Sequence, residues 1–362
     1  MQLTKRIDLN LGYSCNIKCS FCYYQKSMRC AGKEARHDLS TQEAKKWLLF
    51  FRRKGLEAID LTGGEPTIRD DIAELISYAR EIGYKKICII TNGLRLADEA
   101  LLARLVESGL NDILFSLHGP NRQIHEALTQ TPGSFDKLLK AFANARASGL
   151  RMKSNTVVNG ISYRYVEETA ELLYGLGVRV VNFILFNPII EAKGSGSDMN
   201  VDYIQAAPYL SRTIDAYKDK LDKITLRYIP FCVMPGYEQY ITNTPQIQYD
   251  PDEWDYYWRT YFRNGIFLWA GAIALGSLLH PRPLRLASLD FNTAKHEAIK
   301  WALAFVNKTK GRQCKGCAYY MICDGLWRGY AKKKGFSELI PFMGKRISDP
   351  AYFMTQNKQF KE

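Results

Sequence analysis

Cys15, Cys19 and Cys22 crowd into one stretch, Leu11-Gly12-Tyr13-Ser14-Cys15-Asn16-Ile17-Lys18-Cys19-Ser20-Phe21-Cys22. Thiolates so close in sequence, on a loop just after an expected strand, can converge on one soft metal centre. Three of them leave one iron of a four-iron cluster without a protein ligand, and an open iron can hold a substrate or cofactor. A zinc loop and unrelated reduced thiols are the plain alternatives. Zinc needs a fourth ligand nearby, and no histidine or further cysteine fits that role before Cys30. A second set, Cys314-Lys315-Gly316-Cys317 followed by Cys323, also reads as a metal site, with zinc as one occupant. Thr62-Gly63-Gly64-Glu65-Pro66 offers close backbone approach at its glycines and an anion for an ammonium at Glu65. Thr91-Asn92-Gly93 and Ser116-Leu117-His118-Gly119 stand where expected strands end, and the first would serve equally as a turn.

The elements that carry these residues follow a β-α rhythm from residue 6 to about 230. Strands are predicted at Arg6–Leu11, Ala58–Leu61, Lys86–Ile90, Asp112–Leu117, Met152–Val158 and Val178–Leu185. Ser40-Thr41-Gln42-Glu43 is a capping box for a helix that runs to about Lys54, with Gly55 as its stop. Further helices are expected over Asp70–Gly83, up to Gly109, over Phe135–Gly149 opened by Ser134, and from near Tyr163. After Asn187 the rhythm breaks. Gly194-Ser195-Gly196-Ser197 reads as a connection, followed by a helix near Tyr203–Lys220 and a strand Thr225–Ile229. Beyond Pro230 the composition turns towards Tyr, Trp and Pro.

The spacing Cys-x3-Cys-x-Phe-Cys, with Gly-Gly-Glu-Pro one β-α unit later, resembles the radical S-adenosylmethionine (SAM) superfamily. That resemblance implies an α/β fold, a partial (β/α)6 barrel with its functional loops at the carboxyl ends of the strands. It implies that Cys15, Cys19 and Cys22 hold a [4Fe–4S] cluster and that SAM binds its open iron. Gly63, Gly64 and Glu65 match the motif that meets the methionine amino group. Thr91 and Ser116 match positions that touch the methionine and ribose groups, and Asn155 matches a ribose-binding asparagine. Relatives of the peptide-modifying branch often carry aspartate where this chain has His118. The carboxyl half resembles SPASM and twitch extensions, small α+β domains with auxiliary clusters. The match is partial, because Trp327 stands where a full set has its next cysteine. Cys314, Cys317 and Cys323, with Cys232 as the candidate fourth ligand, would suit one auxiliary cluster, making two [4Fe–4S] clusters. The expected division is 1–225 for the barrel and 226–362 for the extension. Cys30 is the candidate hydrogen donor by proximity to the cluster loop, with Cys232 as the other choice; Cys88, inside a strand, reads as a small buried apolar residue.

Composition bounds the rest. The 362 residues, 46% hydrophobic and 24% charged, describe an ordinary globular chain of one large domain or a large and a small one. The longest apolar run, Ile266 to Leu279, is too short to span a membrane. With no signal peptide and nine cysteines, metal ligation in a reducing compartment is expected, which places the chain in the cytoplasm. The net charge of +13 is dispersed, with one concentration from Arg328 through Lys332-Lys333-Lys334 to Lys345-Arg346, so a nucleic-acid substrate is disfavoured. A peptide- or protein-modifying enzyme leads: crosslinking, epimerisation or oxidation. A small-molecule enzyme acting on a sugar, aminoglycoside, nucleoside or lipid precursor is the alternative, with tRNA or rRNA modification third. The radical chemistry also calls for a reductant such as flavodoxin or ferredoxin. The aromatic stretch Trp254-Asp255-Tyr256-Tyr257-Trp258 would pack a small core or line a cleft.

Overall fold

β1 (Arg6–Asn10) opens the regular structure in the computed structural model, which describes residues 3–22, 24, 38–186, 199–254 and 308–356. Strand and helix then alternate: α1 (Thr41–Arg53), β2 (Ala58–Thr62), α2 (Ile72–Glu81), β3 (Lys86–Thr91), α3 (Glu99–Ser108) and β4 (Asp112–Ser116). Next come α4 (Arg122–Thr129), α5 (Ser134–Ala147), β5 (Arg151–Val158), α6 (Val166–Gly175), β6 (Val180–Leu185), α7 (Tyr203–Tyr217) and β7 (Lys223–Arg227). Local chemistry sets the limits. Ser40 and Glu43 form the capping box of α1, and Gly109, at φ 122°, ends α3.

Strands β1 to β7 stand in chain order, and β2 through β7 pair in parallel. Successive β-α units give that order and curl it into a partial barrel, so the α/β class holds. Two particulars differ from the pattern read in the sequence. The strand expected at Thr225–Ile229 is β7, which begins at Lys223 and ends at Arg227 because Tyr228 takes φ 66°, which an extended strand cannot hold. Helix α4 has no counterpart in the predicted elements; Asn121 caps it, accepting from Ile124 N at 3.0 Å.

Alternation divides the strand residues between two faces. Ile59, Leu61, Ile113 and Phe115 are fully buried and alternate with Asp60, Asp112 and Ser116. Register sets the polar face in layers: Asp60–Cys88–Asp112 in one, and Ser116–Asn155–Asn182–Thr225 nearer the carboxyl ends. Lys153 is buried with Nζ 2.8 Å from Asp112 Oδ2, so the deeper part of the barrel is charged and internally compensated.

After Arg227 the chain passes into a second compact unit, which also takes in the residues before Asp8. It contains β8 (Ile241–Thr242), α8 (Thr244–Ile247), β9 (Lys308–Thr309), β10 (Leu326–Trp327) and α9 (Arg328–Lys334). β9 and β10 pair antiparallel, Lys308 opposite Trp327. Thr4 N donates to Gln248 O at 2.8 Å and Arg6 Nε to Pro251 O at 3.2 Å, which fastens the amino-terminal residues into this unit. Phe231, Tyr319 and Phe353 meet edge and face at its centre. Cys30, the Gly194–Ser197 connection, the aromatic stretch from Asp255 and the run Ile266–Leu279 lie outside the described residues. Among the described residues no helix is long and apolar enough to cross a membrane.

Candidate active site

The cysteine loop leaves β1 at Gly12, where a side chain would lie 2.0 Å from Asp38 Oδ1. That carboxylate accepts from Tyr13 N at 2.6 Å and Ser14 N at 3.2 Å. Burial pushes the Asp38 carboxyl up, but the Ser14 and Tyr13 donors together outweigh it and hold it below its ordinary range. On its other side the loop is zipped to the end of β2: Gly64 N donates to Gly12 O at 2.9 Å and Glu65 N to Ser14 O at 2.8 Å. Both glycines of the pair are dictated by this approach. A Cβ on Gly63 would stand 2.5 Å from Gly12 O, and one on Gly64 1.9 Å from Ser14 O. The second half of the loop rests on α4, where Lys18 N reaches Thr129 O at 3.3 Å and Ser20 N reaches Leu128 O at 2.8 Å. Phe21 packs on Ile124, Leu128 and Met199 and meets the His118 ring edge-on at 4.6 Å.

Cys15, Cys19 and Cys22 are therefore presented by backbone bonds. Burial, then the charges of Glu65 and Cys22, raise the Cys15 thiol to about 11; burial, then Cys22 and Cys15, raise Cys19 well above the usual range. The thiols lie within electrostatic reach of one another, and a soft metal centre would be bound with release of their protons. Three thiols and an open side fit a four-iron cluster with one free iron.

Glu65 is 2% exposed. Its Oε1 accepts from Thr67 N at 3.1 Å, Thr67 Oγ1 at 2.5 Å and Thr91 Oγ1 at 2.7 Å, while Oε2 accepts from Asn92 N at 2.7 Å. Burial raises its carboxyl above the ordinary value against those donors. An ionised carboxylate has about four acceptor sites, and Oε2 retains room for a further donor. Asn92 turns from this brace towards the cysteine loop: Nδ2 lies 2.8 Å from Asn16 Oδ1 and 3.9 Å from Cys15 Sγ. Thr67, Asn92 and Asn16 were not singled out from sequence, because their roles depend on three separate loops meeting.

Ser116 and Asn155 are opposite one another on β4 and β5 and half-buried. Asn155 Oδ1 accepts from Asn182 Nδ2 at 2.9 Å, and Asn182 Oδ1 accepts in turn from Thr225 Oγ1. This row turns the Asn155 amide nitrogen, not its oxygen, to other partners. Beside it His118 Nδ1 accepts from Val157 N at 3.2 Å, which fixes the neutral ring with its proton on Nε2. Burial, then the charge of His125, depresses His118 strongly.

In the second unit Cys232, Cys314, Cys317 and Cys323 line one space together with Phe231 and Tyr320. Burial, then the charge of Cys323, pushes the Cys232 thiol up to about 12, with smaller contributions from Cys314 and Cys317. Cys317 N donates to Cys314 O at 3.0 Å and Gly325 N to Cys323 Sγ at 3.3 Å, so short turns aim these sulfurs. Among the described residues, those of the cysteine loop included, no three His, Cys, Asp or Glu side chains are drawn together tightly enough to share a single ion. Cys88 lies inside β3, buried, with Sγ 3.6 Å from Ile89 O.

Comparison with known proteins agrees with this geometry. Residues 9–173 match the Radical SAM superfamily domain. "Probable GTP 3',8-cyclase" of Saccharolobus solfataricus is 31% identical over 185 residues, 51% of this chain and 57% of that protein. The chain thus spans little more than half the length of that relative. Among solved structures, Streptococcus suis SuiB bound to S-adenosylmethionine shares the fold over 94% of this chain and 77% of its own, at TM-score 0.55 and 16% identity. Native anSMEcpe, solved with AdoMet and the Kp18Cys peptide, does so over 98% and 95%, at TM-score 0.54 and 16% identity. Domain match, barrel and cysteine loop lead to one assignment: residues 9–173 of this chain are a radical SAM superfamily domain.

Proposed function

We propose that Cys15, Cys19 and Cys22 hold the [4Fe–4S] cluster, that SAM lies against Gly63, Gly64, Glu65, Thr91, Ser116 and Asn155, and that the enzyme modifies a peptide or protein. With cluster and SAM bound, the site supplies one-electron cleavage of SAM to methionine and a 5′-deoxyadenosyl radical, which takes hydrogen from a substrate C–H bond. The remaining tasks fall to the chain. Glu65 Oε2 has a lone pair for the SAM ammonium, and its bond to Asn92 N keeps it aimed. Asn155, its oxygen held by Asn182, presents N–H to a ribose hydroxyl. Phe21 against His118 sets an aromatic surface beside the cysteine loop.

The observation that carries the peptide reading is the four-thiol space of the second unit. Cys232, Cys314, Cys317 and Cys323 suit an auxiliary [4Fe–4S] cluster, which can accept an electron from a substrate radical or ligate a substrate thiol. The fold likeness to SuiB and anSMEcpe, both also solved with peptides, runs through this part of the chain. A small reductant protein such as flavodoxin or ferredoxin is the electron source this chemistry requires. A small-molecule substrate is the second reading, favoured by the cyclase relative, although that likeness covers only 51% of the chain.

Anaerobic reconstitution should load about eight irons, and the Cys15/Cys19/Cys22 triple Ala variant about four with no SAM cleavage. Cys232→Ala should lower iron content or change the auxiliary electron paramagnetic resonance signal. Zinc at the four thiols would remove the auxiliary cluster. For the substrate, a short peptide encoded beside the gene should raise 5′-deoxyadenosine yield; stimulation by a nucleotide, with peptides inert, would replace the first reading by the second.

A further inference from the structure

Lys308 is buried and poorly compensated; burial lowers its ammonium to about 8 against the opposing charges of Asp324 and Cys323, so it keeps its charge at neutral pH. Its side chain is 2% exposed, and the nearest carboxylate oxygen, Asp324 Oδ2, stands 3.9 Å away. That oxygen already accepts from Thr244 N at 3.0 Å and Thr244 Oγ1 at 2.7 Å. Among the described residues no hydrogen-bond acceptor reaches Lys308 Nζ. The ammonium instead faces aromatic rings, 3.5 Å from the centre of Trp327 and 5.0 Å from that of Tyr228. Such faces offset part of the cost of desolvating a cation, but a buried charge without hydrogen bonds remains unfavourable. A second anion in reach would account for it.

The same strand leads to one. Lys308 pairs with Trp327 across the β9–β10 ribbon. Gly325 brings that ribbon against the thiol ring: a Cβ there would stand 2.3 Å from Thr309 O, and its N–H binds Cys323 Sγ. Cys323 is among the charges that act on Lys308. Lys310, next on the same stretch, lines the thiol space and is tied to Tyr320 O at 2.7 Å. Four thiolates around a four-iron cluster leave a net negative charge, and reduction adds one more. In a low-dielectric surrounding a fixed cation on one side stabilises the reduced form more than the oxidised one.

We infer that Lys308 is the buried counter-charge of an auxiliary iron–sulfur cluster held by Cys232, Cys314, Cys317 and Cys323, and that it raises this cluster's reduction potential. The inference rests on the four-thiol assignment under Proposed function. The competing role is a purely structural one, in which Lys308 fastens the ribbon through its aromatic contacts alone.

A redox titration separates them. The full chain carrying the Cys15/Cys19/Cys22 triple Ala change isolates the auxiliary signal, and dithionite supplies one electron per cluster. Lys308→Met and Lys308→Gln remove the charge, while Lys308→Arg keeps it. The midpoint potential should shift to more negative values in the Met and Gln variants and stay near the parent's in the Arg variant. An unchanged potential in both neutral variants, with iron intact, overturns the inference. Loss of the cluster from both neutral variants but not from Lys308→Arg upholds it, whereas loss from all three overturns it. A parent that holds no cluster refutes the four-thiol assignment itself, and shows this before any change at Lys308.

Discussion

At Glu65 one carboxylate oxygen receives both donors of Thr67 and the hydroxyl of Thr91, while the other receives Asn92 N. In sequence this residue reads as an anion offered to an ammonium. The structure adds that the same carboxylate fastens the end of β2 to the end of β3. In Glu65→Gln the new amide must face either Asn92 N or Thr67 N, and neither backbone N–H can turn away. One buried donor is then left unmatched, at a cost of about 1–3 kcal/mol. Urea unfolding of the iron-free variant should show that loss, together with weaker SAM binding; equal unfolding free energies would mean that the brace contributes nothing. Cys15, Cys19 and Cys22 could be picked out by type and spacing alone. Asn16, Thr67, Asn182 and Thr225 could not, because a lone polar residue acquires a role only when another strand or loop delivers its partner.

Among the elements, α4 shows most clearly why a helix can hide. Its buried face is Ile124, His125, Leu128 and Thr129, which follow the helical repeat, but eight residues hold too few such positions for the period to stand out in sequence. Yet this short helix supplies the carbonyls that hold Lys18 and Ser20. The Gly63-Gly64 turn is the opposite case, conspicuous in sequence, and its bare Cα atoms also admit the backbone of the cysteine loop. Gly64→Ala should push Ser14 aside and lower iron at the barrel cysteines, while the four thiols of the second unit keep theirs. Iron and sulfide analysis, with electron paramagnetic resonance to separate the signals, would show roughly half the full load. A full complement in Gly64→Ala would mean the loop can shift without harm.

Across the whole molecule, the β-α rhythm made the barrel legible because short apolar strands alternate with longer amphipathic helices, each with its own cap or glycine stop. The carboxyl-terminal unit was less so, since two-residue strands and single turns carry no periodicity. Acid stability is a property of the barrel unit as a body. Burial lowers His125 from 6.5 to about 4 and lowers His118 as well. Between those values an unfolded chain takes up a proton that the native one refuses. Stability is therefore complete above pH 6.5 and falls as pH drops towards 4, by about 3 kcal/mol for His125 alone. Denaturant unfolding measured across that window should follow this slope. His125→Asn, whose oxygen can still accept from His118 N, should flatten it, and an identical slope would assign the acid sensitivity elsewhere.

The cysteine loop is clasped on one flank by Gly64 and Glu65 and on the other by Leu128 and Thr129, mainly through main-chain groups, with the Ser20 hydroxyl also donating to Leu128 O at 3.2 Å. Its shape is thus stored in the polypeptide and not in the metal. Oxygen that strips the iron would leave a standing receptacle, and repair would then be a matter of delivery rather than of refolding. Hydrogen exchange at the amides of Gly64, Glu65 and Ser20 should be about equally slow before and after iron is removed. Rapid exchange in the stripped protein would show instead that the cluster builds its own cradle.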